Sequence, residues 1–596
     1  MSNLSQKRRA EMLEYLNHLK EIHTDDESRI ALSKIETALT EKKYGLVWEE
    51  HEEEVDKQLV HNIPVFREIE DKKIIGDNTS AFNFILEGDN LHSLKLLEKT
   101  HKGKVDVIYI DPPYNTGNKD FIYDDNYIGS DDGYRHSKWL SFMNERLRIA
   151  RKLLSKEGVI FCSIGDDELS QFKIILDEIF GEDNFINLVS VKTKNAAGAS
   201  GGGQDLKLKK NLEYLIIYSK DIKFLPEFNT VYKLTEIEEL LDYYKENDIS
   251  WKYTSVLVNP GRKKYIGSTV DGAGDEIKIY KRQNPIFMSV NQVAKKDNIS
   301  VREVYKNYFN QIHMTAMPQS SIRKRVFDYI GEDNLDKESL YSIEYIPISG
   351  RNKGRLYEQF YKGQKLRLIA WFADVGVSNS DGVFKKDIEG TYWDGIELNN
   401  LSKEGNVKFS NGKKPLSLLN RIIKMYKYKD AVILDYFAGS GTTGHAVVQL
   451  NKEDGGDRKY ILCTNNENNI CEKITYQRMK NIQGELPHNL KYYRTEFIPK
   501  LSEDEEILSS KLLDYIKEMV ELENMCEIDG VKRRIILSDE DLNIALSEME
   551  ESGVLYIPSF ILLTNEIKDS IEERKLEVVT IPDYYFTEEL REVNEL

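Results

Sequence analysis

The chain has little cysteine: four residues in 596 (Cys162, Cys463, Cys471 and Cys526), with no CxxC pair. That spacing supports neither a disulfide framework nor a tetrahedral zinc site, so no metal is expected. Nor does any apolar run approach the ~18 residues a membrane helix needs. The N-terminal MSNLSQKRRAEMLEYLNHL scatters charges through an amphipathic helical pattern instead of presenting a signal peptide, and a cytoplasmic location is expected. A phosphate-binding loop is missing too. Gly439 and Gly444 have its spacing, but His445 and Ala446 stand where the lysine and hydroxyl belong. No GK[ST] occurs elsewhere and no internal repeat is visible. The length implies about two to four domains.

An excess of positive charge is lacking as well: the net charge is −18. Its distribution matters more than its sum. Residues 501–596 hold 9 Lys and Arg against 26 Asp and Glu, a net of −17, so the first 500 residues carry −18 + 17 = −1. Within these, residues 191–400 hold 32 basic and 28 acidic groups, a net of +4. Phosphate contacts act over a Debye length of about 8–10 Å, so a local basic face suffices for a nucleic-acid partner.

Residues 1–73 read as a helical N-terminal region. From 74 the texture alternates. VDVIYI (105–110) is a buried strand broken at once by DPPYNTG, residues 136–154 have helical periodicity, GVIFCSIGDDE (158–168) is a second strand, and FKIILDEIFG (172–181) is a helix closed by Gly181. Such alternation predicts an α/β, doubly wound, Rossmann-like parallel sheet over 74–220. NAAGASGGG (195–203) marks a boundary or loop. Residues 221–404 lose the alternation and gain Tyr, Lys, Arg and Asn, as an inserted domain would, and the α/β texture returns over 405–500. Residues 501–596 form an acidic C-terminal α+β domain, a solubilising tail or an interaction surface.

Two segments carry chemistry. Residues 432–450 read strand, glycine-rich turn (Phe437-Ala438-Gly439-Ser440-Gly441-Thr442), helix. Glycines there let backbone approach a ligand at a helix N-terminus. Glu467, at the end of the next strand, suits the ribose hydroxyls of an adenosine-containing ligand. The second segment, Asp111-Pro112-Pro113-Tyr114, follows a central strand at the mouth where doubly wound folds bind ligands. The amino group on a nucleobase is a poor nucleophile because its lone pair is delocalised into the ring. Asp111 and the carbonyl of Pro112, whose φ is fixed, can accept both amino hydrogens, and Tyr114 can stack on an extruded base.

With these residues the chain resembles the amino-methylating DNA methyltransferases, whose motifs are (D/N/S)PP(Y/F) and FxGxG, in the β-class order. DPPYNTG, Gly88-Asp89-Asn90 and residues 164–186 look most like the modification (Mod) subunit of type III restriction–modification systems. The resemblance implies a methyltransferase sheet carrying an inserted target-recognition domain, and methyl transfer from S-adenosylmethionine to adenine N6 in double-stranded DNA by base flipping. It implies Asp111, Pro112, Pro113 and Tyr114 as catalytic. It implies a cofactor pocket of Asp435, Phe437, Ala438, Gly439, Ser440, Gly441 and Thr442, with Glu467 on the ribose, Asp89 toward the adenine and Lys414-Pro415 near the methionine end. Asp89 reads equally well as a turn and helix cap, and Asp166 and Glu168 as ordinary caps or as site lining.

Base reading falls to residues 221–404 and nearby clusters: Lys192 with Lys194, Lys207-Leu208-Lys209-Lys210, Arg262-Lys263-Lys264, Arg323-Lys324-Arg325, and Lys362 to Arg367. Without a P-loop or a PD…(D/E)xK nuclease pattern, the chain cannot translocate and cut DNA by itself. The resemblance therefore implies a separate restriction (Res) subunit and a Mod homodimer. Cytosine-N4 methylation, a solitary methyltransferase, a protein or RNA N-methyltransferase and a non-catalytic recognition subunit are the alternatives. The main reading requires a fold that unites Asp111 with Gly439.

Overall fold

The computed structural model describes the chain except residues 1–3, 24–25, 41–47, 77–80, 124–125, 194–209, 319, 349–351, 397–400, 409–412, 501–507, 559–560, 582–584 and 593–596. The glycine-rich 195–203 segment, Lys194, Lys207 and Lys209 thus lie outside the described residues. The chain divides into two compact units, one of residues 1–229 and 390–596, the other Thr230–Glu389.

The first unit is built on a ten-stranded mixed sheet. In chain order its strands are β1 (Asn62–Glu68), β2 (Asn83–Glu87), β3 (Val105–Ile110), β4 (Leu154–Ile164), β5 (Phe185–Lys192), β6 (Leu212–Ser219), β7 (Tyr392–Trp393), β8 (Val432–Asp435), β9 (Lys459–Thr464) and β10 (Leu490–Pro499). Their spatial order is β1-β10-β2-β9-β8-β3-β4-β6-β5-β7. The six strands from β10 to β4 are parallel, while β1 and β6 run antiparallel to their neighbours β10 and β4. Parallel strands covered by helices must be apolar on both faces, and VDVIYI and GVIFCSI meet that demand: Val107, Ile108, Ile110, Ile160, Phe161 and Cys162 are fully buried. The chain leaves β3 toward β4 on one side and leaves β8 toward β9 on the other. The two strands pair directly, with Leu434 opposite Ile108. Such a divergence opens a crevice at the C-terminal ends of the strands, where open α/β sheets bind ligands.

Three boundaries differ from the sequence reading. The sheet is mixed, not wholly parallel, because YLIIYS returns as the antiparallel β6. The N-terminal helices stop at His61, since residues 62–68 form the edge strand β1, where Pro64 is tolerated because an edge needs one bond row fewer. The insertion spans 230–389 rather than 221–404, because β7 pairs with β5 and Asn229 bonds the carbonyls of Lys424 and Tyr426.

The acidic C-terminal residues belong to the first unit, not to a body of their own. They carry a three-stranded parallel sheet (Arg533–Ile535, Val554–Pro558, Glu577–Ile581), and the helix Ile516–Glu523 adds Met519, Val520 and Leu522 to the main core. Buried Lys491 in β10 donates to Glu68 at 2.9 Å and to Glu521 at 2.8 Å. Breaking such a buried pair from one side is costly, so part of the acidic excess serves packing.

The second unit holds an antiparallel eight-stranded sheet, ordered 262–270, 276–283, 340–345, 357–362, 367–371, 312–316, 255–259 and 286–289. Among the described residues, no helix is long and apolar enough to cross a membrane.

Candidate active site at the switch point

Lys414 joins the two motifs. It sits just before the helix Leu416–Met425, and its carbonyl accepts a bond from the Thr442 hydroxyl at 3.2 Å, at the start of the helix after the glycine loop. Its ammonium points the other way, into DPPY. Nζ donates to Tyr114 OH and to Glu213 Oε2, both at 2.7 Å, and lies 3.1 Å from Asp111 Oδ1. Three N–H groups thus meet three acceptors. The Lys414 side chain is 13% exposed and that of Asp111 18%.

Electrostatics follow from this enclosure. Burial drives the Asp111 carboxyl above the usual range, Lys414 pulls it back and Glu213 pushes it further up. Glu213 is buried too, but its close contact with Lys414 holds it below the ordinary value. Burial works against the Lys414 charge, and the two carboxylates outweigh it, leaving the ammonium more basic than usual.

Tyr114 OH lies 3.1 Å from Asp111 Oδ1 and 3.0 Å from Glu213 Oε2, one proton shared between two acceptors. The Lys414 and Tyr114 contacts both fall on Oδ1 of Asp111. Pro112 is buried, and its carbonyl takes no hydrogen bond among the described residues, whereas that of Pro113 accepts one from the indole of fully buried Trp139 at 2.7 Å. Asn115 follows with φ +54° and donates to Glu168 Oε1 at 2.6 Å. Glu168 also meets His136 Nδ1 at 2.6 Å and is wholly buried. It makes no capping bond, so its role differs from the ordinary helix cap. Asp166 instead pairs with Lys210.

The glycine loop is held by hydroxyl and amide contacts and by one buried guanidinium. Asp435 is buried at the end of β8, where Oδ1 accepts from the Phe437 N–H at 3.0 Å and Oδ2 from the Thr443 hydroxyl. Burial pushes its carboxyl up to about 7. Gly439 and Gly441 have φ of +49° and +72°, a region that costs a side-chain-bearing residue roughly 1–2 kcal/mol. A Cβ on Gly439 would meet only the Phe437 carbonyl, at 3.8 Å, so the loop faces open space there. Thr475 donates to the Gly439 carbonyl at 2.6 Å, and buried Arg478 donates to Thr442 Oγ1 at 2.8 Å and reaches Ser440 at 3.4 Å. The Ala438 N–H bonds the Cys463 carbonyl in β9. Half-buried Phe437 packs on Phe142 with ring centroids 5.9 Å apart.

Asp89 caps the helix Asn90–His101, accepting from the Leu91 N–H at 2.7 Å, and also meets Arg146 at 3.3 Å. Its neighbour Asn90 donates to the Tyr436 carbonyl at 2.9 Å, which ties the GDN turn to the glycine loop. Glu467 is exposed three residues beyond β9, accepting from Asn465. It shares the loop's edge of the sheet because β8 and β9 are parallel neighbours.

Glu213, Arg146, Thr475 and Arg478 carry no signal in the sequence. Each acts through a partner remote in the chain, so no local spacing marks it. In the second unit, Lys263 meets Glu358 at 3.1 Å and also pairs with Glu344, Arg323 binds the Lys365 carbonyl, and Lys362 lies 3.5 Å above the Phe287 ring. Tyr265 on the same strand as Lys263 is exposed.

Comparison with known proteins agrees with the paired motifs. Residues 105–476 match the N6_N4_Mtase family model, described as DNA methylase. The probable type III restriction–modification enzyme HindVI Mod subunit of Haemophilus influenzae is 38% identical over 68% of this chain and 51% of its own length. The StyLTI Mod subunit of Salmonella typhimurium is 32% identical over 69% of this chain and 57% of its own. The type II methyltransferase M.KpnI of Klebsiella pneumoniae is 31% identical over 71% of this chain and 92% of its own. The chain thus spans little more than half the length of those Mod relatives. Among solved structures, a putative DNA modification methylase of Thermus thermophilus, complexed with S-adenosyl-L-methionine, is 11% identical with a TM-score of 0.30, over 69% of this chain and 99% of its own. That likeness is too slight to argue from. The family match covers well over half of the chain, from the strand before DPPY to past the glycine loop, and the chain belongs to the DNA methylase family.

Proposed function

We propose that the chain transfers a methyl group from S-adenosylmethionine to the N6 amino group of adenine in double-stranded DNA, as the modification subunit of a type III restriction–modification system. The observation that carries the reading is Lys414, whose carbonyl holds the glycine-loop helix while its ammonium holds Asp111 and Tyr114.

The residues present fit the cofactor. Gly439 leaves room where a Cβ would project, and Phe437 offers an aromatic edge. Asp89, Ala438, Ser440, Gly441, Thr442, Glu467 and Pro415 complete the pocket in this reading. When bound, the cofactor supplies an activated methyl group, so the chain's task is to orient the partners. Oδ2 of Asp111 and the carbonyl of Pro112 accept the two amino hydrogens of the extruded base, favouring a pyramidal nitrogen. Lys414 and Tyr114 fix Asp111 from its other oxygen. As the nitrogen gains the methyl group it sheds a proton, which Oδ2 takes. Tyr114 presents its ring to the base. The unit Thr230–Glu389 reads the sequence around the target, a Mod homodimer and a Res subunit completing the system.

Tritium transfer from labelled cofactor to genomic DNA, followed by modification-sensitive sequencing, tests this. N6-methyladenine at one recurring sequence supports it; no transfer, or N4-methylcytosine instead, overturns it. A second reading, a solitary type II methyltransferase, is favoured by the Klebsiella relative, which is matched over 92% of its length. Transfer without any Res partner encoded nearby would select it.

A further inference from the structure

A wide basin of the first unit lies at the opposite end of the sheet from Asp111 and Gly439. It is walled by the turn between the helix Asn90–His101 and β3, by the end of the helix Arg135–Leu153 before β4, and by Lys220 just after the antiparallel β6. All three meet the sheet at the N-terminal ends of its parallel strands. A six-residue strand at ~3.3 Å per residue puts about 20 Å between this basin and the DPPY mouth. Its volume is about 1180 Å³, and of its fifteen lining residues nine are basic and two acidic.

Four of the nine basic groups have carboxylate neighbours: Lys104 with Glu523 at 2.7 Å, Lys152 with Glu98 at 2.8 Å, Arg148 with Glu178 at 3.5 Å and Lys95 with Glu145 at 3.8 Å. Such exposed pairs are weak and open readily to a stronger anion. Lys102, Arg151 and Lys220 have no carboxylate within ion-pair reach among the described residues, and the Lys220 ammonium donates to the Arg151 carbonyl. Burial depresses the basicity of Lys220, and Arg151 and Lys102 depress it further, so these three crowd each other's charge. A concave wall of one sign focuses the field and favours a polyanion.

The lining says which polyanion. Among the described residues Ile149 and Ile179 are its only apolar members, so a protein partner would find no buried anchor of the kind that dominates interface energy. Among the described residues no aromatic ring lines it, so a nucleobase would find nothing there to stack on. What remains is repeated phosphate, recognised without regard to sequence.

We infer that this basin binds the phosphate backbone of duplex DNA, as a second, sequence-independent contact remote from the site of methyl transfer. The identity of the polyanion rests on the DNA-modifying reading; the anionic chemistry rests on the basin alone.

The test uses the full chain and a random-sequence duplex of about 30 base pairs. Lys102→Glu with Arg151→Glu is expected to weaken binding at least tenfold near 0.1 M salt. Removing two phosphate contacts should also flatten the log–log salt dependence by about 1.8. Lys102→Gln with Arg151→Gln, gentler on folding, should give the same flattening with a smaller affinity loss. Duplex should shield Lys102 and Lys220 from chemical acetylation read by mass spectrometry. An unchanged slope together with unshielded lysines overturns the inference. Shielding by inorganic triphosphate but not by duplex also overturns it, assigning the basin to a free polyphosphate. Tritium transfer runs alongside: wild-type protein that fails to methylate yet shields Lys102 with duplex sinks the methyltransferase reading and leaves this one standing.

Discussion

The two loops at the switch point are built in opposite ways. The Asp111 loop is held by charge: Lys414 against Asp111 and Glu213. The glycine loop is held mostly by hydroxyl and amide donors, with the buried guanidinium of Arg478 behind it and its one carboxyl, Asp435, pushed up to about 7 by burial. On the proposed mechanism the Asp111 loop grips an amino group and takes up its proton, which needs an ionised acceptor beside a cation. On the same reading the glycine loop fits a preformed cofactor, which needs shape. The contrast is between electrostatic and steric preorganisation, and it can be broken from either side.

The largest effect is expected from Asp111→Ala. On the proposed mechanism it removes the acceptor that acts in the transition state, so methyl transfer should fall by about 10³-fold or more, the scale seen when a preorganised polar group is lost. Cofactor affinity, measured by calorimetry, should change less than about threefold; a comparable loss of both would erase the distinction between the loops. Gly439→Asp is its mirror image. It forces a side chain onto φ +49° and a new charge into the cradle, and it should weaken cofactor binding by about 30-fold or more. Unchanged cofactor affinity would remove the glycine loop from the site.

Lys414→Met sharpens the comparison, because this residue serves both loops. Its carbonyl remains to hold Thr442, so cofactor affinity should fall only slightly. Its charge is lost from Asp111, whose carboxyl is already raised by burial and is pulled down by Lys414. An acceptor must be ionised, so the acid limb of the rate profile should move to higher pH when that contact is lost. The measurement is the pH dependence of transfer at saturating cofactor. A uniform drop without a shift would show that Lys414 acts only as a strut.

The motifs and their order are legible in the sequence because each is a strand end followed by residues with distinctive backbone needs: two fixed φ angles in DPPY, two positive ones in FAGSG. Pattern also exposes the strands VDVIYI and VILD, whose buried faces leave little freedom of composition. What it cannot expose is pairing. Glu213 reads as the polar start of a strand, Arg478 as a helix charge, and only the fold sets one beside Lys414 and the other beneath Ser440. Glu168 looks like a cap because it precedes a helix, yet burial turns it inward onto Asn115. The acidic tail reads by its composition, which does not tell that Glu521 meets Lys491 in the core. Edge strand β1 is hidden by its proline and by the helical stretch before it.

The smallest expected effect tests the protonation of Asp435 under the glycine loop. Asp435 has a folded value of about 7 against an ordinary 3.8, so the folded protein binds the proton more tightly than the unfolded chain. Its contribution is therefore fully present below about pH 4 and lost as the pH climbs toward and past 7. Three units correspond to at most about 4 kcal/mol, and relaxation around the ionised group will reduce that. Asp435→Asn mimics the protonated acid: its carbonyl can still accept from Phe437, and its amide can donate to the Thr443 hydroxyl, which reverses direction by rotating. Thermal unfolding of wild type should drop by a few degrees between pH 5 and pH 8 more than that of the variant. Equal drops would mean that Asp435 stays ionised, and both loops would then rest on a carboxylate.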